Sequence, residues 1–482
     1  MKFFVILLRS FYSNQPLMFC QLGFYYVKSP DYLAKHLPWP AYLVYHNFNE
    51  RLMYMNIIKN ITIVCVESGT LQTGMDVIIE GDIIKKIFIS KKLDISGEID
   101  VFDGTDKYLL PGLFDMHAHI HDGRYLPLFL LNGITAIRET GNDLASIYKL
   151  KKESRRVRSQ IPRLYIAGPI IEGDPPYWGD AFKVVHTIND VAVAVDQLVE
   201  KNVDFIKCYH TLSHKLHNAL LSEAVKSNLK VTGHLPIGIT AQEAYQKGQS
   251  CVEHMFDVRE SCFDTIKEDP GHEYDSESWK KLTFIQNTDR ANNLFRIMKS
   301  KKAAICPTLY HQRQLVALRN YKDAVRNTVG YEYTHKATRD EWSEDNVAGN
   351  RTLFYDNLQR MVDAEESIVR SLYNNSLMLA GTDTEDSLLV PGFSLIEELV
   401  TMVDCGLTPL EALRTATVNP ALYLEERYLG RVQEGSIANL VIYESNPLEN
   451  INHLRKVNSV ILNGTVISRS ELETAASTKQ VL

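Results

Sequence analysis

With 482 residues, 45% of them hydrophobic and 23% charged, the chain has the composition of an ordinary globular protein, long enough to bury a large core without a disulfide or metal to hold it. Its 52 Lys and Arg against 59 Asp and Glu leave a formal net charge of −7 with no basic stripe, which argues against nucleic acid or an anionic membrane as a partner. No apolar run approaches the roughly 18 residues of a membrane span, and seven scattered cysteines, an odd number, read as reduced thiols rather than a disulfide framework.

Residues 1–54 differ from the rest. The apolar run Phe3 to Leu8 sits between Lys2 and Arg9, is short for the hydrophobic segment of a signal peptide, and has no small-residue cleavage site after it. The stretch beyond is rich in Tyr, Phe and Pro and shows neither helical nor strand periodicity. Two readings compete: a weak targeting segment, and an upstream extension of the coding frame with the start near Met53 or Met55. The second is preferred. Cytoplasmic residence is the expectation, with secretion or organelle targeting left open by the apolar run.

From Asn56 short β-strands take over: Ile61 to Val66, Asp76 to Glu80 and, after the turn at Gly81, Ile83 to Ile89. Strands return near the C-terminus at Asn439 to Tyr443 and Val457 to Leu462, the latter joined through Asn463-Gly464, a strong type I′ signal, to Thr465 to Ile467. Two β-rich ends around a long middle predict one small β-sandwich assembled from residues 55–110 and 426–482, with 1–54 as an atypical extension.

Residues 111–425 alternate strands and helices. Strand-like runs are Gly133 to Arg138, Arg163 to Ala167, Asp204 to Tyr209, Lys230 to Gly233, Ala303 to Cys306 and Leu377 to Ala380; helical runs are His214 to Asn228, Ala241 to Lys247, Ser394 to Cys405 and Pro409 to Thr417. The fold class is α/β, a parallel sheet covered by helices. Shared among eight units, the segment gives about 39 residues each, which suits a (β/α)8 TIM barrel. A doubly wound open sheet ranks second, because no Gly-rich phosphate loop follows an early strand.

Five features fall in order at the ends of these runs. His117 and His119, at i and i+2 of a strand, point to one face and can reach one metal at the C-terminal mouth of a barrel. Lys207 lies in an apolar strand, where its ammonium would be expensive to bury; carbamylation would turn it into an anionic bridge between two cations. His234 and His254 each close a short strand, and Asp383 follows the run ending at Ala380. Each alone has a plainer explanation, such as a chance surface H-x-H, a snorkelling lysine, satisfied core histidines or a helix-capping carboxylate. Together, neutral imidazoles, an anionic bridge and a carboxylate make one coherent site for two metals.

The pieces PGLFDMHAHIHDG, GITAIRETG, DFIKCY, VTGHLP, CVEHMF, LAGTDT and GRVQEGSIANLVIYESNPL, in this order, resemble the amidohydrolase superfamily, nearest to its imidazolonepropionase-like and Xaa-Pro-dipeptidase-like members. The resemblance covers about 56–465. It implies a (β/α)8 barrel beside a composite β-sandwich of the urease type. It implies that His117 and His119 bind one metal, that carbamylated Lys207 bridges to a second held by His234 and His254, and that Asp383 touches the first and shuttles protons. Two Zn2+ ions are the default. Asn439 departs from the usual Ala-Asp-Leu of the tail motif. Imidazolonepropionase-like members can be mononuclear and then lack the bridging lysine, so Lys207 argues for two metals.

The resulting expectation is a metal-dependent hydrolase of a C–N bond in a small, peptide-like substrate, in which a hydroxide held between the metals attacks and Asp383 carries the proton. Alternatives are a mononuclear cyclic-amide or lactone hydrolase and a non-catalytic scaffold. A deaminase is disfavoured, because no Glu follows His234 in His234-Leu-Pro-Ile-Gly. Candidate substrate contacts are Arg138 (for a carboxylate), Tyr177, Tyr209, Tyr310 and His311. His214 and His217 are expected to face solvent, and Cys208 and Cys251 to pack as small hydrophobes. Two polar helical segments, Ser276 to Ser300 and Gln312 to Asp345, are candidates for a lid. The chain could be a homo-oligomer.

Overall fold

The computed structural model describes residues 55–90, 100–121, 123–143, 145–156, 159–176, 182–267, 282–347 and 352–478, together with the strands Phe4–Arg9 and Gln21–Tyr26. Those two strands pair antiparallel.

Both ends of the chain meet in one eight-stranded sheet. Met55–Val64 pairs with Leu71–Glu80 on one side and with Tyr108–Pro111 on the other, and Leu440–Tyr443, Val457–Leu462 and Thr465–Ser468 continue from there. The far edge, Ile83–Ile89, returns to the C-terminal part through hydrogen bonds from Ile84 N–H to Ser436 O at 2.8 Å and from Ala438 N–H to Asp82 O at 2.8 Å. Alternating apolar residues line its inner face: Ile58, Ile61, Ile63, Val77, Ile79, Leu440, Ile442 and Ile461 form one buried cluster. The Asn463-Gly464 turn has positive φ at both residues, as a type I′ turn requires. A Cβ at Gly464 would lie 1.8 Å from the Gly81 carbonyl oxygen. Gly464→Ala should therefore cost more than about 1 kcal/mol in a denaturant melt, since alanine fits neither the φ nor the space; an unchanged midpoint would show that this turn relaxes freely.

The middle holds two parallel sheets. One runs Leu113–Ala118, Ile134–Glu139 and Arg163–Ile166. The other runs Lys183–Val184, Ile171–Glu172, Phe205–Cys208, Lys230–Gly233, Cys251–Glu253, Ala304–Cys306 and Leu377–Met378. Backbone hydrogen bonds join them at two places. Asp204 N–H donates to Ile166 O at 2.9 Å, and Met116 N–H donates to Ala380 O at 2.9 Å. Phe114, Met116, Ala136, Tyr165, Phe205, Cys251, Ala304, Cys306 and Leu379, drawn from strands of both sheets, pack into one cluster. Strands buried on both faces need such continuous apolar runs, with helices covering the outside.

Several expectations shift. Ser276 to Ser300 is not one helix: Leu282–Gln286 is a strand antiparallel to Phe263–Lys267, and the helix starts at Thr288 behind an Asn287 cap. Residues 268–281, with the start of that stretch, lie outside the described residues. His217 is buried, its Nε2 2.9 Å from Gln249 Oε1, whereas His214 is exposed. The reason is helical period: on His214–Lys226, His217 shares its face with Leu220, Leu221 and Ala224. Among the described residues no helix is long and apolar enough to cross a membrane.

Candidate metal centre

Asp383 is the hub. Its Oδ1 lies 3.1 Å from His117 Nε2 and 3.3 Å from His119 Nε2; its Oδ2 lies 3.4 Å from His311 Nδ1 and 3.7 Å from His254 Nε2. The backbone holds it there. Asp383 N–H donates to His117 O at 2.7 Å, and Thr382 Oγ1 donates to the buried Asp115 carboxylate at 2.8 Å. Three non-glycine residues just beyond strand ends take left-handed backbone conformations: His254 at φ 65°, Thr308 at φ 48° and Asp383 at φ 64°. Each such residue costs on the order of 1–3 kcal/mol and persists only where its surroundings impose it. The turn re-aims His254 and Asp383 toward the same point.

The outward ring nitrogens are pinned. His117 Nδ1 lies 2.7 Å from Glu253 Oε2, and His254 Nδ1 lies 2.7 Å from Thr308 Oγ1. Each ring therefore presents Nε2 inward, the arrangement by which a carboxylate or hydroxyl orients a metal-binding imidazole. Burial holds His254 and His234 well below the usual imidazole range, so both are neutral and keep a lone pair. Burial pushes the Asp383 carboxyl up, but the His117 ring beside it and the hydrogen bonds from His117 and His119 outweigh it and hold it well below the usual carboxylate range. Imidazoles converging on an ionised carboxylate are a donor set that fits a divalent cation. His117, His254 and Asp383 bring one donor atom each to within 4.8 Å of one another.

Lys207 is 1% exposed, on the neighbouring strand Phe205–Cys208 and in register with Thr232. Its charge acts on Glu139, whose carboxyl burial pushes up to about 8 and whose Oε1 has no hydrogen-bond partner among the described residues. His234 sits beyond, its ring centroid 4.8 Å from that of His254 and 4.2 Å from that of Tyr209.

The substrate candidates divide. His311 is in the site, with Nε2 also 3.1 Å from Asp386 Oδ2; burial lowers the imidazole, but Asp386 and Asp383 outweigh it and raise it above its ordinary value. Tyr209 borders it through His234. Tyr310 does not: its phenol lies toward Glu397 and Arg455. Arg138 is a correction. It is 0% exposed, its NH2 lies 2.8 Å from both Glu253 oxygens, and its guanidinium sits 5.4 and 5.5 Å from the Phe205 and Tyr423 rings. A guanidinium already forked onto a buried carboxylate has nothing left for substrate. Tyr177 lies outside the described residues. Glu253, Thr308 and Asp386 escaped the sequence reading, although each is a polar residue next to a strand-end feature, in CVEHMF, after Pro307 and in LAGTDTED.

The amidohydrolase family model matches residues 108–467. A dihydroorotase of Carboxydothermus hydrogenoformans (strain ATCC BAA-161 / DSM 6008 / Z-2901) is 42% identical over 69 residues, 14% of this chain, and the chain spans only 15% of that relative's length. Solved structures share the fold: bottromycin amidohydrolase (TM-score 0.70, 20% identity, 92% of this chain and 94% of that one) and a putative prolidase from Bifidobacterium longum (0.65, 20%, 89% and 99%). A Xaa-Pro dipeptidase with bound methionine in its active site is a third (0.62, 19%, 86% and 100%). With its family match running from the strand Tyr108–Pro111 through the site to the C-terminal hairpin, the chain belongs to the amidohydrolase family.

Proposed function

We propose that the protein is a metal-dependent hydrolase that cleaves an amide-type C–N bond in a small substrate, with Asp383 as proton shuttle. The observation that carries this reading is the convergence of His117, His119 and His254 on the ionised Asp383. In it, residues 111–425 form a closed (β/α)8 barrel, 55–110 and 426–482 form a composite β-sandwich, and the site occupies the C-terminal mouth of the barrel, where this fold places its chemistry. His117, His119 and Asp383 would hold one divalent cation. Lys207, carbamylated, would bridge to a second beside His234 and His254. Such a pair, Zn2+ by default, supplies an acidified water and a polarised carbonyl oxygen. Asp383 takes a proton from the attacking water at Oδ and returns it to the leaving nitrogen. Tyr209 and His311 border the space left for substrate. Peptide-like amides, including dipeptides ending in proline, head the list, in keeping with the prolidase and dipeptidase named among the structures of like fold.

A mononuclear site is the second reading. It is favoured by Glu139, a buried carboxyl on which the Lys207 charge acts: one oxygen accepts the Gly141 N–H at 3.3 Å and the other, Oε1, has no hydrogen-bond partner among the described residues. Metal content of protein grown with zinc and bicarbonate, with and without Lys207→Ala, separates the two. Two equivalents falling to one support the bridged site. One equivalent, indifferent to Lys207→Ala, selects the mononuclear reading. A protein without bound metal that cleaves no dipeptide, cyclic amide or lactone would be a scaffold.

A further inference from the structure

Beside the histidines that the resemblance names, His234 groups with two residues that it does not name, His210 and Asp257. One donor atom each from His210, His234 and Asp257 lies within 4.8 Å of the others. His234 Nδ1 is 3.6 Å from Asp257 Oδ2, close to the roughly 3.4 Å that separates two donors on a tetrahedral ion with bonds of about 2.1 Å. The rings of His210 and His234 meet edge-on with centroids 4.4 Å apart.

Two independent observations point to a missing ligand there. His234 Nδ1 is buried and has no hydrogen-bond partner among the described residues, on a side chain only 6% exposed. Asp257 is an almost buried acidic side chain with no cationic side chain bonded to it among the described residues, and its Oδ2 accepts the Leu235 N–H at 2.9 Å. A buried imidazole lone pair facing a buried carboxylate is costly unless something satisfies both. The scaffold is tied in place, because Ile237 N–H donates to His210 O at 2.9 Å and His234 N–H donates to Cys208 O at 3.1 Å.

We propose that His210 and Asp257 join His234 as ligands of the second divalent cation, so that this position is built from the loop after Phe205–Cys208 and the short helix Phe256–Arg259 as well as from strand ends. This rests on the two-cation reading above.

The test uses the full chain loaded with Co2+, comparing wild type, Asp257→Asn and His210→Gln. Cobalt per chain is counted by elemental mass spectrometry, its affinity is taken from competition with a chromophoric chelator, and its coordination from the visible absorption. Wild type should hold two equivalents. Each variant should lose the second, or bind it more than about 100-fold more weakly, since even residues that only orient a ligand are worth 10–100-fold. The amide oxygen introduced by Asp257→Asn can still accept the Leu235 N–H, and His210 lies outside any strand or helix. An unchanged far-UV spectrum in either variant therefore separates lost metal from lost fold. Two equivalents held with wild-type affinity in both variants overturn the proposal. If wild type binds a single equivalent, the two-cation reading fails. The assignment then survives only if that ion is lost in Asp257→Asn and kept in His117→Ala, and falls otherwise.

Discussion

An Asp383→Asn enzyme should lose turnover by about two to four orders of magnitude, the usual contribution of a positioned proton-transfer group, while keeping nearly all of its metal. Asparagine has the same shape and one carbonyl oxygen, so contacts to His117 and His119 can persist; what disappears is the group that takes and returns the proton. The environment supports the role. His117 and His119 keep the carboxylate ionised against the pull of burial, and His311 with Asp386 continues the polar path outward. The measurement is kcat on the best dipeptide or cyclic amide alongside metal per chain. Near-full activity would remove Asp383 from proton transfer. Equal loss of metal and activity would make it a ligand first.

Glu253→Gln should be the most destabilising polar substitution in the site, by about 3–5 kcal/mol in guanidinium unfolding, because it strands a buried guanidinium. Arg138 is completely buried, and its surroundings are the Glu253 carboxylate, the Met116 carbonyl, Thr232 and two aromatic rings. Arg138 and His117 outweigh burial and hold the Glu253 carboxyl well below its ordinary range, so the charge removed is fully present at neutral pH. Removing both charges, in Arg138→Met with Glu253→Gln, should recover most of the loss, since a buried pair replaced whole is often near neutral. The same Glu253→Gln change weakens the anchor on His117 Nδ1 and should lower affinity at the first metal position about 10–100-fold. A loss under about 1 kcal/mol would mean that Arg138 finds another anion or water.

The local elements were legible because each rests on short-range periodicity. Ile83–Ile89, Lys230–Gly233, Val457–Leu462 and Ala241–Lys247 lie where alternation, helical spacing and turn chemistry put them. H-x-H on a strand and a histidine or carboxylate at each later strand end identified His117, His119, His234, His254 and Asp383 as candidates, because side-chain direction along a strand follows from sequence spacing. Whether they share a site depended on how parallel strands stack in register and on the left-handed residues that turn the chain at His254, Thr308 and Asp383. No local pattern encodes that turn in a non-glycine residue. Pairings across the sheet were invisible for the same reason: Arg138 and Glu253 are 115 residues apart, and His117 and Glu253 are 136 apart. Sequence by itself therefore determined which residues stand at strand ends and which chemistry they offer. The tertiary structure alone decided that Arg138 is spent on Glu253, that His217 is buried, and that His210 and Asp257 face His234, because each outcome depends on a neighbouring strand or loop that the local chain does not specify.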